Sequence, residues 1–465
     1  MPTMTTVSAA VLGIAAGLNG GGGPGADPTL PAFSAVAAQL SADTIPAQGD
    51  NTNLTSWQER VSGISLRQLT GANQPKYRTA RVGGKPSVQA IGSTWLSAAI
   101  PGLKAVVDTK NYTVMIVVAN VVAQANGTIF GNAAGGNSFA WQANGTGTGR
   151  FDSQVLGSSL TLAPDATPAF RCFGSSSWAV NQYAGQSGVG LERAYMEGGC
   201  VNSNTGFAPA SSSADGQFAV GATNSLGQLS GKADILEVVV WNRGLTAIEW
   251  VMAEIWACTK YSQALPWAAG GKYYILDGDS LTVGVGTPSI NSAYPYLAMQ
   301  NSVVPYGAWT MQAVGGLAWP AIIGKVGEWT GIPNLIGIPG KVAAFEWYNE
   351  NLALQTPAQI LQHTKDYSTA LNKAGNNLKL ALGSSTSYSG DSAGGNRDLF
   401  NTLLDADHAH ADSYAQLHLD THIGLGGAAS SYSVFSGTLW ADIVHINAAG
   451  RAFLWPLMNT ALQAI

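Results

Sequence analysis

At 465 residues the chain exceeds what one ordinary core organises, so two or three domains are expected. Charged residues make up only 11% and the formal net charge is −5, a balance that offers no extended basic surface and argues against nucleic acid as a partner. The 57 glycines, set among many Ala, Ser, Thr and Asn residues, suit a β-rich protein working outside the cytoplasm.

The chain begins with an apolar stretch, Val7-Ser8-Ala9-Ala10-Val11-Leu12-Gly13-Ile14-Ala15-Ala16-Gly17-Leu18, with no basic residue before it. It lacks the n-region of a secretory signal and is too short to cross a bilayer, and no later stretch reads as membrane-spanning. Asn19-Gly20-Gly21-Gly22-Gly23-Pro24-Gly25 follows as a turn-rich hinge. Residues 1–40 are therefore expected to form a flexible arm or anchor, with a disordered tail as the alternative. An extracellular chain of this kind is either exported by another route or carried out as part of a larger particle, and assembly into a virion or a homo-oligomer is the expected partnership.

Residues 41–263 read as many short strands. Tyr112-Thr113-Val114-Met115-Ile116-Val117-Val118, Gln217-Phe218-Ala219-Val220 and Ala233-Asp234-Ile235-Leu236-Glu237-Val238-Val239-Val240-Trp241 are the clearest. Clusters such as Gly131-Asn132-Ala133-Ala134-Gly135-Gly136-Asn137 are expected to separate them, and the spacing predicts an antiparallel β-sandwich. After Trp241-Asn242-Arg243-Gly244-Leu245, Thr246 is placed to cap a helix over residues 246–261. This ending of strand, asparagine-arginine turn and short helix resembles concanavalin A-like (laminin G-like) jelly rolls. Trp57, Trp95, Trp141 and Trp178 lie in the region; core or edge packing is the ordinary role, and a sugar-stacking surface the other. Of the cysteines Cys172, Cys200 and Cys258, at most one pair can bridge; Cys172–Cys200 is the candidate, and buried thiols are the alternative.

Residues 264–271, with Pro266 and Gly270-Gly271, form the expected linker, and the periodicity then changes to alternating strand and helix. Strands are predicted over residues 273–276, 341–347, 378–382 and 417–420, helices over 356–374 and 396–410, and a last helix after Gly450. That alternation predicts a parallel sheet. Gly278-Asp279-Ser280-Leu281 directly follows the first strand, so Ser280 sits where open α/β folds place their sites.

A serine nucleophile needs a base, and three histidines have an aspartate three residues earlier: His408 with Asp405, His410 with Asp407, and His445 with Asp442. The first two continue the amphipathic helix from Asn396, where they read as a solvated face, a metal cluster being the minor alternative. Asp442-Ile443-Val444-His445 instead lies in a loop before the last helix, which can fold back over the sheet edge. His445 is the better base. The Gly-x-Ser-x-Gly elbow of another hydrolase class has no convincing copy; Gly185-Gln186-Ser187-Gly188 has the wrong spacing.

Residues 272–465 resemble an SGNH (GDSL-type) hydrolase domain in four blocks taken in order. Asp277-Gly278-Asp279-Ser280-Leu281 matches the nucleophile block and Gln312-Ala313-Val314-Gly315-Gly316 the glycine block. Phe345-Glu346-Trp347-Tyr348-Asn349-Glu350 matches the asparagine block, and Asp442-Ile443-Val444-His445 the catalytic pair. The usual Gly-x-Asn-Asp reads Trp347-Tyr348-Asn349-Glu350, which is the largest departure. The resemblance implies a three-layer α/β (flavodoxin-like) domain following the N-terminal jelly roll. Ser280 is then the nucleophile, His445 the base and Asp442 its orienting carboxylate. The oxyanion hole would use the Ser280 and Gly316 backbone N–H groups, Gly315 being second choice, and the Asn349 amide. No metal or organic cofactor is implied.

In that chemistry His445 takes the Ser280 proton as the hydroxyl attacks an ester, Asp442 holds the imidazole, and the three donors stabilise the oxyanion. The combination predicts a carbohydrate esterase, with an O-acetylated polysaccharide as the favoured substrate and a phage tail fibre or secreted bacterial esterase as the setting. A lipase or thioesterase is the alternative, with Trp309, Trp319, Trp347 and Trp440 available to line an acyl pocket. A non-catalytic adhesin or virion subunit is the third reading.

Overall fold

The computed structural model describes residues 25–109, 111–122, 127–134, 137–143, 148–153, 158–164, 171–179, 190–196, 199–207, 216–222, 232–269, 271–284, 293–304, 307–345, 355–373, 376, 378–383, 395–408, 417–419 and 445–465. The chain divides into two compact units, with the main break between Leu265 and Pro266.

In the first unit the described strands form two sheets, of nine and eight strands, and the pairings are antiparallel. Tyr112–Val122 and Lys232–Trp241 are central and adjacent in the larger sheet. Their near-continuous apolar runs suit strands covered on both faces. Met115, Val117 and Val239 pack with Trp250, Ala253, Trp256 and Ala257 of the helix Ala247–Lys260, while Val114, Ile116 and Val118 are buried as completely. That helix starts with a capping box: Glu249 N–H donates to Thr246 Oγ1 at 3.3 Å, and Thr246 N–H donates to the Glu249 carboxylate at 2.9 Å. Its end is fixed by Glu237, which accepts from Ser41 Oγ at 2.6 Å and Tyr261 Oη at 2.9 Å and pairs with Lys260. Burial pushes the Glu237 carboxyl up, against the pull of Lys260.

Two expectations change here. The arm assigned to residues 1–40 is packed structure from Gly25 onward, since Leu30 is fully buried, Pro31 O accepts from Trp241 Nε1 at 2.9 Å, and Val36–Ser41 pairs with Lys232–Trp241. Residues 1–24 lie outside the described residues. The expected separator around Gly131 is narrower: Gly127–Ala134 is a strand paired with Asn137–Ala143, Ala134 lying opposite Asn137. Asn132 is tolerated inside it because its side-chain amide donates to Gln217 O at 2.8 Å. Trp57 and Trp95 are core residues, so neither offers a sugar-stacking face. The side chains of Trp141, Trp178 and Cys172 lie outside the described residues, and the Cys172 pairing with them. Cys200 is fully buried, and the buried Cys258 thiol is pushed up by desolvation and by Glu254, whose carboxylate it contacts at 3.4 Å.

The second unit is built on a five-stranded parallel sheet: β1 (Tyr273–Gly278), β2 (Trp309–Met311), β3 (Gly340–Phe345), β4 (Lys379–Gly383) and β5 (Leu417–Leu419), in the order β2-β1-β3-β4-β5. From β1 the chain steps to one side for β2 and to the other for β3. Right-handed crossovers therefore put the helices between β1 and β2 on one face and those of the later crossovers on the other. The short α1 (Ser280–Val283) and α2 (Tyr294–Asn301) follow β1, and the final α6 (Ala448–Ala464) packs against α2, β3 and β5. α3 (Trp319–Lys325) packs on α4 (Pro357–Asn372), which packs on α5 (Gly395–His408). The reversal of direction makes the C-terminal end of β1 the topological switch point, the usual ligand position in such sheets.

Candidate active site

β1 ends on Gly278, whose φ of 142° is a conformation that residues with a side chain rarely adopt. The chain turns there into Asp279, which is extended and caps α1 by accepting from Leu281 N–H at 2.8 Å. Ser280 is thus the first residue of α1, where its N–H has no intrahelical acceptor. Behind it, Thr282 Oγ1 and Tyr294 Oη are 3.0 Å apart, and burial pushes the Tyr294 phenol well up.

His445 arrives from the far end of the domain. Asn447 caps α6, accepting from Ala449 and Gly450 N–H groups at 2.9 and 3.1 Å, and Arg451 Nη1 donates to Ile446 O at 2.9 Å. At the other end of the helix Lys341, at the start of β3, donates to the Leu462 and Ile465 carbonyls. α6 therefore runs against the strand direction and delivers His445 to the C-terminal edge of the sheet. There Nε2 lies 3.3 Å from Ser280 Oγ.

The segment after β2 runs alongside the turn that carries Ser280. Gln312 N–H donates to Leu276 O at 2.7 Å and Val314 N–H to Gly278 O at 3.1 Å. Leu317 N–H then closes a turn onto Val314 O at 3.4 Å, with Gly316 at its third position at φ 74°, the type II pattern that asks for glycine. Gly316 is exposed while Gly315 is buried.

Ser280 and His445 thus come together, and Gly316 lies on the neighbouring turn. Asp442 and Asn349 lie outside the described residues. Of the competing pairs, Asp405, Asp407 and His408 belong to the last turn of α5: Asp405 is exposed and Asp407 is tied to Lys365 of α4 at 2.5 Å, while the side chain of His408 and the whole of His410 lie outside the described residues. No cluster of three or more His, Cys, Asp or Glu side chains able to hold a metal occurs among the described residues. No helix among them is long and apolar enough to cross a membrane. Trp309 and Trp319 are core residues, Trp309 edge-on to Tyr296 and Trp319 tilted against Tyr367. Trp347 and Trp440 lie outside the described residues.

The sequence reading missed one group beside the site. Asp277 and Lys325 form an ion pair with neither side chain exposed, joined by Tyr367 Oη at 3.0 Å from Asp277 Oδ2. A carboxylate in the last apolar positions of a buried strand was the available signal, because a buried charge demands partners.

No protein-family model matches the chain, and no curated protein sequence matches it. Among solved structures it is similar to a member of the lipolytic G-D-S-L family from Veillonella parvula, at 15% identity and TM-score 0.34, over 42% of this chain and 100% of that one. It is also similar to a sialidase from Trypanosoma rangeli, at 11% identity and TM-score 0.32, over 56% of this chain and 40% of that one. Domain 4 of AbnA, an extracellular arabinanase from Geobacillus stearothermophilus, is similar at 15% identity and TM-score 0.29, over 47% of this chain and 98% of that one. At these values the likeness carries no assignment, and the chemistry of the site rests on its own geometry.

Proposed function

We propose that the chain is a serine esterase in which Ser280 attacks the ester carbonyl, His445 accepts the hydroxyl proton, and water later releases the acyl group. The observation that carries this reading is the 3.3 Å approach of His445 Nε2 to Ser280 Oγ at the sheet's switch point. Apo catalytic hydrogen bonds are commonly longer than those in a substrate complex, so this distance suits a resting nucleophile and base. Asp442 is assigned to orient the imidazole. The backbone N–H groups of Ser280 and Gly316, with the Asn349 amide, are assigned to the oxyanion.

The substrate proposed is an O-acetylated polysaccharide met outside the cell, by a secreted or virion-borne protein. Its support is the joining of this α/β unit to a unit of antiparallel sheets, together with the low charge of the chain. The long-chain acyl alternative loses two of its four lining candidates, because Trp309 and Trp319 are buried packing residues. Acetate release from acetylated glycans by the native protein and by Ser280→Ala tests the assignment. Release by the native protein alone is expected, and equal release by both removes it.

A further inference from the structure

We infer that the buried Lys325–Asp277–Tyr367 network is a positioning device that holds the nucleophile turn and the glycine turn in one fixed relation. The inference rests on the esterase reading and adds to it three residues that touch neither substrate nor the reacting atoms.

Asp277 lies on β1 three residues before Ser280, and Gln312 lies four residues before Gly316. A single ammonium joins them: Lys325 Nζ, at the end of α3, donates both to Asp277 Oδ1 and to the Gln312 carbonyl. Asp277 is otherwise saturated, with Oδ1 accepting from Gly278 N–H at 2.9 Å and Oδ2 from Tyr367 Oη of α4 at 3.0 Å. Four segments therefore meet at one point: the end of β1, the segment after β2, α3 and α4. Movement of either loop along the strand direction would break a bond to a charge that has no water to replace it.

Stability alone does not call for such a group. Replacing a buried ion pair by apolar residues of similar size is often neutral or stabilising, whereas removing one partner is costly. What the charged pair supplies in addition is direction, because its bonds fix distances and angles that apolar packing leaves loose. A displacement of about 1 Å between reacting groups can cost ~10²-fold in rate. The network should therefore act on the acylation step and leave substrate affinity alone.

Two variants separate positioning from folding. Asp277→Asn combined with Lys325→Met removes both charges together, so no ion is left unpaired, and Tyr367→Phe removes one hydroxyl. For each, the unfolding midpoint, the kcat and KM for 4-nitrophenyl acetate, and the rate of inactivation by a fluorophosphonate are measured beside native protein and Ser280→Ala. The double variant is expected to unfold cooperatively and to keep its KM within about twofold, while kcat and the inactivation rate both fall ~10-fold or more. Tyr367→Phe should lower the same two rates by a smaller factor. A folded double variant inactivated at the native rate, or one changed in KM only, overturns the inference. If the double variant does not fold, Tyr367→Phe decides, and a native rate there overturns it. Native protein that is not labelled, or Ser280→Ala labelled equally, instead refutes the underlying esterase reading, and the inference falls with it.

Discussion

Removing the imidazole at position 445 is the sharpest perturbation of the proposed chemistry. Among the described hydrogen bonds of Ser280 Oγ, that to His445 Nε2 is the one to a base, and the 3.3 Å separation needs only a few tenths of an ångström to reach a productive length. The other described imidazole, His363, lies within α4. His445→Ala should therefore lose the whole general-base contribution, ~10²–10⁴-fold in kcat/KM, or about 3–5 kcal/mol of transition-state stabilisation. The two groups act as a unit, so the double-mutant cycle is more telling than either variant. Initial rates on a chromogenic acetyl ester would be compared for native protein, Ser280→Ala, His445→Ala and the pair. Adding His445→Ala to Ser280→Ala should cost nothing further. Independent, additive losses at the two positions would refute the argument, because they would mean the side chains do not work on the same proton.

Gly278→Ala places a side chain at φ 142°, which should cost on the order of 1–3 kcal/mol and turn Ser280 away from His445. A variant with native stability and native esterase rate would contradict this. Burial opposes ionisation of Glu249, but the bonds from Arg243 and Thr246 outweigh it and hold the carboxyl below its usual range. A depressed folded value stabilises above the unfolded carboxylate range and is lost as pH falls through the folded value. The Glu249→Gln variant should accordingly melt lower than native at neutral pH, by about 1 kcal/mol given the partly exposed pair. In thermal melts that gap should close under acid conditions; a gap unchanged down to strong acid would contradict the assignment. Lys341→Met removes a cationic donor from the C-terminal carbonyls of α6 and should cost about 0.3–1 kcal/mol with esterase kcat nearly unchanged. Denaturant titration measures it, and a variant as stable as native would count against the capping role.

What was legible in the sequence was local. Thr246 caps the helix it directly precedes, and β1 with its following Ser280 is one apolar run and one turn. His445 was separable from His408 because the latter continues an amphipathic helix, α5, whose residues 405–407 are exposed or half-buried. What escaped depended on distance or brevity. β2 has three residues, too few to show a period, and is recognisable only by its place beside β1. Asn132 looked like loop material because its amide partner, Gln217 O, is 85 residues away. Residues 25–35 read as part of a flexible arm because they follow the glycine-rich hinge at 19–25, yet the Pro31 carbonyl is held by a strand that comes 210 residues later and Leu30 is buried. Nothing beside Lys325 in the sequence marks it as the partner of Asp277, 48 residues earlier.

The proposed nucleophile and its proposed base stand 165 positions apart, the second carried just ahead of α6. During translation the serine leaves the ribosome long before the base has been synthesised, so a nascent or prematurely stopped polypeptide would be inert. Ester cleavage would switch on only after α6 docks beside β3, which makes turnover itself a gauge of whether this half of the molecule has finished maturing.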